Sequence, residues 1–160
     1  MPKLHLRPMT ADEYRGWYRE AVASYAADLR RNVRFSPEAA ERNAADTLRN
    51  LLPEGLSTRD HWLMVGEDAD GARVGHLWLA RRTTPGGEIA YLFDIAVVES
   101  ARGRGYGRGL MERLEEEVAA LGLGRIELNV FGHNEVARRL YEDLGYVEMS
   151  RQLFKELGTA

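Results

Sequence analysis

Residues 88–98 are the segment that most constrains the fold, because a strand drawn through them is apolar on both faces. With a period of two, one face carries Ile89, Tyr91, Phe93, Ile95 and Val97, and the other carries Ala90, Leu92, Asp94, Ala96 and Val98. Such a strand lies inside a sheet that is covered on both sides. We therefore predict a central strand that a single carboxylate, Asp94, interrupts.

Two helices precede this strand in the sequence. Thr10 and Glu13 form a capping box that opens the first helix, in which aromatic and apolar residues recur at helical spacing as far as Leu29. Ser36 and Pro37 supply the N-cap and the first-turn proline of the second helix. Both starts are local signals, so we expect these helix boundaries to be accurate.

The remaining elements follow from hydrophobic periodicity and from breaker residues at their ends. Strands are predicted at residues 3–9, 62–67, 73–81, 125–131 and 146–157, and further helices after residue 109 and after Asn134. The order β-α-α-β-β-β-α-β-α-β predicts an α/β fold, a mixed sheet with helices on both faces. No linker or repeat divides the sequence, so one domain over residues 1–160 is expected.

Composition narrows the classes of ligand and partner. The sequence has no cysteine, which removes disulfide scaffolds, thiolate zinc sites and cysteine nucleophiles, and no metal is expected. The net charge of −3 does not favour binding to nucleic acid. No apolar run reaches the length of a membrane span, so we expect a cytoplasmic protein without nucleic-acid or membrane partners.

A loop rich in glycine and arginine follows the central strand. Glycine occupies every second position of residues 102–109, namely Gly103, Gly105, Gly107 and Gly109. Glycine lets the backbone approach a ligand closely, and the first N–H groups of the next helix have no partner within that helix. Arg102, Arg104 and Arg108 add positive charge. This pattern predicts a phosphate-binding loop, with a solvated flexible turn as the alternative.

The spacing of these glycines excludes two common phosphate-binding motifs. A dinucleotide fingerprint needs Gly-x-Gly-x-x-Gly or Ala, and the last position here is Arg108 or Leu110. A Walker-type loop needs Gly-Lys followed by serine or threonine, and the sequence has no such run. Nucleoside triphosphates are therefore not expected as ligands.

Two motifs in order resemble those of the GCN5-related N-acetyltransferase (GNAT) superfamily. Residues 102–107 are similar to the family's Gln/Arg-x-x-Gly-x-Gly/Ala signature, and residues 134–146 are similar to its Asn-x-x-Ala-x-x-Leu-Tyr-x-x-x-Gly-Phe. The likeness runs from about Trp62 to the C-terminus, and the N-terminal part resembles a bacterial subgroup of unestablished substrate. Many members carry proline after the strand, where this chain has Glu99-Ser100-Ala101, a departure that affects the rigidity of the loop.

The resemblance implies acetyl-CoA as co-substrate. The family's glycine-rich signature binds the pyrophosphate of coenzyme A, and it corresponds here to Arg102, Gly103, Arg104, Gly105, Tyr106, Gly107 and Arg108. The pantetheine arm adds to the open edge of the central strand, at Ile95, Ala96 and Val97, where a backbone N–H polarises the thioester carbonyl. The side chain of Asn134, also a natural N-cap, meets the same arm.

Two catalytic residues are predicted, each with an alternative. Tyr141 occupies the tyrosine position of the second motif and is predicted to protonate the leaving thiolate, the alternative being a core tyrosine. Asp94 is predicted as a base because desolvation on an apolar strand raises a carboxyl pKa; a hydrogen-bonded structural carboxylate is the alternative. Further candidates for the base are Glu88, His61, His76 and His133, and deprotonation through water needs none.

The predicted function is transfer of the acetyl group of acetyl-CoA to a primary amine of a small molecule or peptide, by direct attack on the thioester. The alternatives are a non-catalytic acyl-CoA-binding or regulatory module and a structural or interaction domain. O-acylation and a longer acyl donor are smaller variations. The sequence does not identify the acceptor. Five aromatic residues of the first 60 positions either line the acceptor site or belong to the core, namely Tyr14, Trp17, Tyr18, Tyr25 and Phe35. The resemblance is also compatible with a homodimer.

Overall fold

A computed structural model of the chain describes residues 3–158. These divide into two units, residues 3–129 and residues 130–158. The first unit contains the whole sheet and three helices, and the second contains one helix. The single domain expected from the sequence stays a prediction.

The sheet has five strands that lie side by side in the order of the sequence. They are β1 (His5–Pro8), β2 (His61–Glu67), β3 (Arg73–Thr84), β4 (Gly87–Val97) and β5 (Ile126–Leu128). The first four pair antiparallel, and β5 pairs parallel to β4. The mixed sheet predicted from the sequence is therefore confirmed, with β4 as an interior strand.

Four helices accompany the sheet: α1 (Ala11–Asn32), α2 (Pro37–Leu51), α3 (Tyr106–Ala120) and α4 (Glu135–Asp143). The predicted capping box is present at α1, where the hydroxyl of Thr10 accepts from the N–H of Glu13 and the Glu13 carboxylate accepts from the N–H of Thr10. The hydroxyl of Ser36 caps α2 in the same way, by accepting from the N–H of Ala39. These local signals set the helix starts as expected.

The helices of the first unit cover both faces of the sheet, as predicted. On one face α1 and α2 pack on β2 and β3 through a buried cluster of Met9, Trp17, Leu48, Leu52, Leu63, Val65 and Trp78. On the other face α3 approaches closely over two glycines. A Cβ on Gly75 would lie 2.7 Å from Leu110 Cδ1, and one on Gly66 would lie 2.6 Å from Leu110 Cδ2. These glycines let Leu110 pack directly against the backbone of the sheet.

A bulge interrupts the pairing of β3 with β4. Trp78 pairs with Asp94 and Leu79 pairs with Leu92, so Phe93 is the extra residue of β4. As a result the ring of Phe93 stacks on Trp78, with centroids 4.4 Å apart, and the Asp94 carboxylate lies on the same face. The strict alternation assumed from the sequence, which put these two neighbours on opposite faces, is therefore wrong at this point.

The C-terminal part differs from the prediction. The strand expected over residues 125–131 is reduced to β5, and residues 144–158 contain no strand where one was predicted over 146–157. Alternation produces a strand only where a neighbouring strand takes the backbone hydrogen bonds, and within residues 3–158 none pairs with this segment. Its large apolar side chains are exposed instead, namely Val147, Met149, Leu153, Phe154 and Leu157.

Two further findings concern the described residues as a set. None of the helices within residues 3–158 is long and apolar enough to cross a bilayer. In the same range no three histidine, aspartate or glutamate side chains are grouped so that they hold a metal ion.

Candidate active site

The loop before α3 has the backbone geometry that an anion site needs. Gly103 and Gly105 have φ angles of 74° and 87°, in the left-handed region that favours glycine. Gly105 is the N-cap of α3, no side chain caps the helix, and its first turn contains no acidic residue. The N–H groups of Tyr106 and the two residues after it therefore lack intrahelical acceptors. The positive end of the helix dipole adds to their attraction for an anion.

The three arginines of the loop contact different neighbours. Arg102 donates from Nε to the carbonyl oxygen of Val97, 3.2 Å away. The guanidinium of Arg104 lies 5.3 Å from the ring centroid of Tyr106, and that of Arg108 lies 3.9 Å from the carboxylate of Glu112. Arg102 therefore links the loop to the end of β4.

Strand β4 has an open edge directly before this loop. Its pairing with β5 covers Ala90 to Leu92, and no other strand of residues 3–129 pairs with that side of β4. The N–H of Val98 donates to Val74 of β3, so alternation turns the peptide groups of Ile95 and Val97 away from β3 and towards the open edge. Ala96, which was predicted with them, turns its peptide group towards β3.

Asp94 lies at the start of this edge and is held by two side chains. Its Oδ2 accepts from the indole N–H of Trp17 at 2.9 Å and lies 3.0 Å from Nε2 of His76, and the nearby backbone N–H of Ile95 also favours the ionised form. Desolvation acts to raise the pKa of Asp94, but these hydrogen bonds and the charge of His76 outweigh it, so the pKa is lowered. The raised pKa expected from the sequence is therefore wrong, and the carboxylate is ionised at neutral pH.

The other candidates for a base have different surroundings. His76 lies between Asp94 and Arg73, whose Nη2 is 3.3 Å from the histidine Nδ1. Nδ1 of His61 accepts from the indole N–H of Trp78 at 2.9 Å, and burial lowers the pKa of His61, so its imidazole is neutral. Glu88 is exposed at the start of β4, and the ring of His133 stacks on a neighbouring phenyl ring in the second unit. Only His76, among these four, contacts Asp94.

The second unit carries the other two predicted residues on or next to α4. Asn134 is the N-cap of α4, and its Oδ1 accepts from the N–H of Ala137 at 3.3 Å. Tyr141 lies on α4, is 9% exposed, and has its ring 5.7 Å from that of Tyr146. The capping role of Asn134 is confirmed, whereas its contact with a cofactor and the acid role of Tyr141 stay predictions.

Sequence reasoning missed Arg82, which lies on β3 opposite Ile89, beside the aromatic residues of β4. Its guanidinium carbon lies 4.7 Å from the ring centroid of Tyr91 and 5.8 Å from that of Phe93. The aromatic residues of the first 60 positions, which were predicted to line the acceptor site or to belong to the core, differ in their burial. Trp17 is buried in the core, whereas Tyr14, Tyr18 and Tyr25 are partly buried beside it, and Phe35 is exposed.

Comparison with known proteins agrees with this geometry. The chain is 30% identical over 152 residues to YycN of Bacillus subtilis, an uncharacterized N-acetyltransferase, with 95% of this chain and 97% of YycN covered. The crystal structure of YycN superposes with a TM-score of 0.91 over 98% of this chain and 100% of that one, at 29% identity. The bS18-alanine N-acetyltransferase of Escherichia coli is 41% identical over 105 residues, which cover 58% of this chain and 71% of that protein.

A fourth comparison concerns coenzyme A. The aminoglycoside N-acetyltransferase AAC(6')-Iy, solved in complex with CoA, has the same fold, with a TM-score of 0.60 at 16% identity over 98% of this chain and 96% of that one. The sequence model of the acetyltransferase (GNAT) family matches residues 15–146, which include β4, the glycine-rich loop and the motif around Asn134. The chain therefore belongs to the GNAT family of acetyltransferases.

Proposed function

We propose that the protein transfers the acetyl group of acetyl-CoA to a primary amine by direct attack of the amine on the thioester. The observation that carries the proposal is the open edge of β4, which leads directly into the uncapped N-terminus of α3. A thioester carrier with a diphosphate and two amide groups suits such a strand edge and helix start. The N-acetyltransferase names of its relatives support the same reaction.

The residues of the first unit have separate roles in binding the donor. The backbone N–H groups of residues 103–108 hold the diphosphate, with Arg102, Arg104 and Arg108 as additional donors. The peptide groups of Ile95 and Val97 hold the arm that carries the thioester, and Ala96 shapes the strand between them. In the structure Arg102 donates to the carbonyl of Val97. When acetyl-CoA binds, the side chain of Arg102 leaves this carbonyl and donates to the diphosphate instead.

The transfer forms a bond between the amine nitrogen and the acetyl carbonyl carbon and breaks the carbon–sulfur bond. The amine loses one proton, and the sulfur leaves as a thiolate that gains one. We assign the first proton to Asp94, directly or through water, because its ionised carboxylate lies at the start of the open edge. We assign the second to the phenol of Tyr141, on its position in the second motif.

Several finer features belong to the same proposal. The acceptor is a small-molecule or peptide amine, and the bS18-alanine acetyltransferase supports an amine acceptor by its name. We further propose that the reaction uses no metal, that the protein is cytoplasmic and binds neither nucleic acid nor a membrane, and that it forms a homodimer. A non-catalytic acyl-CoA-binding module is less well supported, because the relatives are N-acetyltransferases.

The proposal is tested with the full chain in two measurements. Coenzyme A should raise the melting temperature in proportion to its excess over Kd, and acetyl-CoA with a panel of primary amines should release free thiol. Binding without thiol release would favour the non-catalytic module, and a melting temperature unmoved by coenzyme A would favour the structural domain. Asn134→Ala should weaken coenzyme A binding. Asn134→Ser should do so too, although serine keeps the N-cap of α4. If both variants bound coenzyme A as tightly as the parent, Asn134 would not belong to the cofactor site.

A further inference from the structure

Two charged side chains of opposite sign flank an aromatic surface beside the open edge of β4. Asp94 directly follows Phe93 on β4, and the guanidinium of Arg82 lies beside the rings of Tyr91 and Phe93. All four belong to the first unit and to the face of the sheet that α1 covers. This pair of charges is a candidate recognition element for the acceptor.

The carboxylate end is oriented by its own hydrogen bonds. The donors from Trp17 and His76 both end on Oδ2 of Asp94, so Oδ1 accepts from no side chain within residues 3–158. The Asp94 side chain is 35% exposed, which leaves it accessible to a ligand. Asp94 directly precedes Ile95, the first residue whose peptide group turns towards the open edge, so the charge lies at the start of that edge. A primary ammonium group is the cation whose three N–H donors suit a carboxylate oxygen of this kind.

The guanidinium end lacks an acidic partner. Arg82 stacks on Tyr91 and Phe93 but forms no ion pair with any carboxylate of residues 3–158. The titratable groups near Arg82 do not neutralise its positive charge. His61 is neutral, and Glu127, which lies opposite Tyr91 in the β4–β5 pair, is bonded to Arg125 at 2.9 Å. By contrast, Arg7 elsewhere in the sheet binds two glutamates.

An arginine held on aromatic rings with its donors free is suited to a carboxylate, which it binds in a bidentate manner. Stacking also fixes the guanidinium plane, so less side-chain entropy is lost when the anion binds. The bulge sets the spacing of the two ends: Phe93 is the extra residue next to Asp94, and the guanidinium carbon lies 5.8 Å from its ring. Phe93 is therefore a neighbour of both charged groups, because Asp94 follows it in the chain and the Arg82 guanidinium lies beside its ring.

We propose that the acceptor is a zwitterion, a primary amine that carries a carboxylate a few bonds away, with its ammonium on Asp94 and its carboxylate on Arg82. The inference rests on the proposed acetyl transfer and names the class of its acceptor. The hydrocarbon between the two groups lies on Phe93 and Tyr91. The ammonium loses one proton to water before the attack, and the amine nitrogen loses the second, assigned above to Asp94, as the amide bond forms at the strand edge where the thioester is held.

The test compares amino acids of increasing length with their amides. The full chain with saturating acetyl-CoA is given glycine, β-alanine, γ-aminobutyrate and ε-aminocaproate, each beside the amide that lacks the carboxylate charge, and thiol release is measured. At the fitting length, kcat/KM for the acid should exceed that for the amide by about tenfold or more. A preference for the amides at every length, or equal values, would overturn the proposal.

The role of Arg82 is tested by two variants and a matched control. Arg82→Gln should lower kcat/KM for the acid far more than for the amide and so abolish the preference for the acid, whereas Arg82→Lys should retain part of the preference. Arg49→Gln on α2 removes the same charge from an exposed ion pair with Asp46 and should keep the full preference. An Arg82→Gln variant that loses acid and amide equally would contradict the assignment.

A binding measurement separates this proposal from the proposed function. With coenzyme A present, the fitting amino acid should raise the melting temperature of the parent but not that of Arg82→Gln. Thiol release with simple amines, without any acid preference or acid-dependent shift, would refute the zwitterion and leave acetyl transfer standing. An acid-dependent shift that Arg82→Gln removes, without thiol release from any amine, would refute acetyl transfer and leave the charge pair standing.

Discussion

Trp17 of α1 donates its indole N–H to Oδ2 of Asp94 on β4, a residue 77 positions further along the chain, at 2.9 Å. The donor is 2% exposed and packs edge-on against Trp78, with ring centroids 5.4 Å apart. The helix layer is thereby bonded to the central strand at the residue that follows the bulge. Desolvation acts to raise the pKa of Asp94, and the bond from Trp17 opposes it together with the larger contribution of His76, so this contact links packing of the helix to charge at the site.

Replacing Trp17 by phenylalanine should test this coupling. The variant removes one of the donors that lower the pKa of Asp94, so the pKa should rise, and the loss of a buried bond to a charged group should cost about 1.5–3 kcal/mol. A lowered carboxyl pKa stabilises the fold above the unfolded value of about 4, and this contribution is lost as the pH falls through the folded value. Urea unfolding should therefore show a difference in free energy between Trp17→Phe and the parent that shrinks at acid pH to the cost of the lost packing.

Trp62→Phe is the control for that comparison, because Trp62 is partly buried and its side chain forms no hydrogen bond within residues 3–158. Its cost should be the same at every pH. A pH-independent cost for Trp17→Phe as well would show that the indole bond does not govern the charge of Asp94.

Gly105→Ala should weaken coenzyme A binding more than it weakens the fold. Gly105 has a φ of 87° at the N-cap of α3, where alanine costs about 1–2 kcal/mol and displaces the N–H groups that are proposed to bind the diphosphate. Gly71→Ala is the matched control, since Gly71 has a φ of 82° in the β2–β3 turn and open space for a Cβ. Both variants should lose similar stability in urea, and Gly105→Ala should lose coenzyme A affinity in calorimetry. Equal affinities would place the diphosphate elsewhere.

Tyr141→Phe should separate catalysis from binding of the donor. The variant removes the proposed proton donor to the thiolate, so kcat should fall by about a hundredfold or more while coenzyme A affinity is kept. Tyr146→Phe, in the same unit and with its ring 5.7 Å from that of Tyr141, is the control and should retain its turnover. Stopped-flow detection of thiol release measures both. Unchanged kcat in Tyr141→Phe would assign this tyrosine to packing.

The features predicted correctly from the sequence are those set by neighbours in the chain. Helix starts at Thr10, Ser36 and Asn134 each depend on a side chain that accepts from the backbone N–H three residues further along the chain, so the signal is local. The glycine-rich loop was predictable for the same reason, because a positive φ favours glycine at that position itself.

The features that were missed depend on partners distant in the sequence. The direction of the Asp94 pKa is set by donors from another helix and another strand, and the bulge at Phe93 exists only in the pairing of two strands. Arg82 acquires its aromatic contacts from Tyr91 and Phe93, which belong to the neighbouring strand. The predicted last strand was wrong for a related reason, since alternation specifies a face but not a partner.

Glu13→Gln should destabilise the fold at neutral pH and not at acid pH. The Glu13 carboxylate accepts from both terminal nitrogens of Arg7, at 2.8 and 3.0 Å, and from the N–H of Thr10, and these bonds, Arg7 first, lower its pKa from 4.5 to about 2. The stability from this shift is full above about pH 4.5 and is lost as the pH falls towards 2. With solvent screening of a partly exposed pair, the cost at pH 7 should be about 1–2 kcal/mol.

The control is Glu38→Gln, in the first turn of α2 and without an ion pair in residues 3–158, which should cost less than about 1 kcal/mol. Urea unfolding across this pH range should show the Glu13→Gln difference vanish at acid pH, and a difference that persists there would mean that the amide disrupts the helix cap rather than the ion pair.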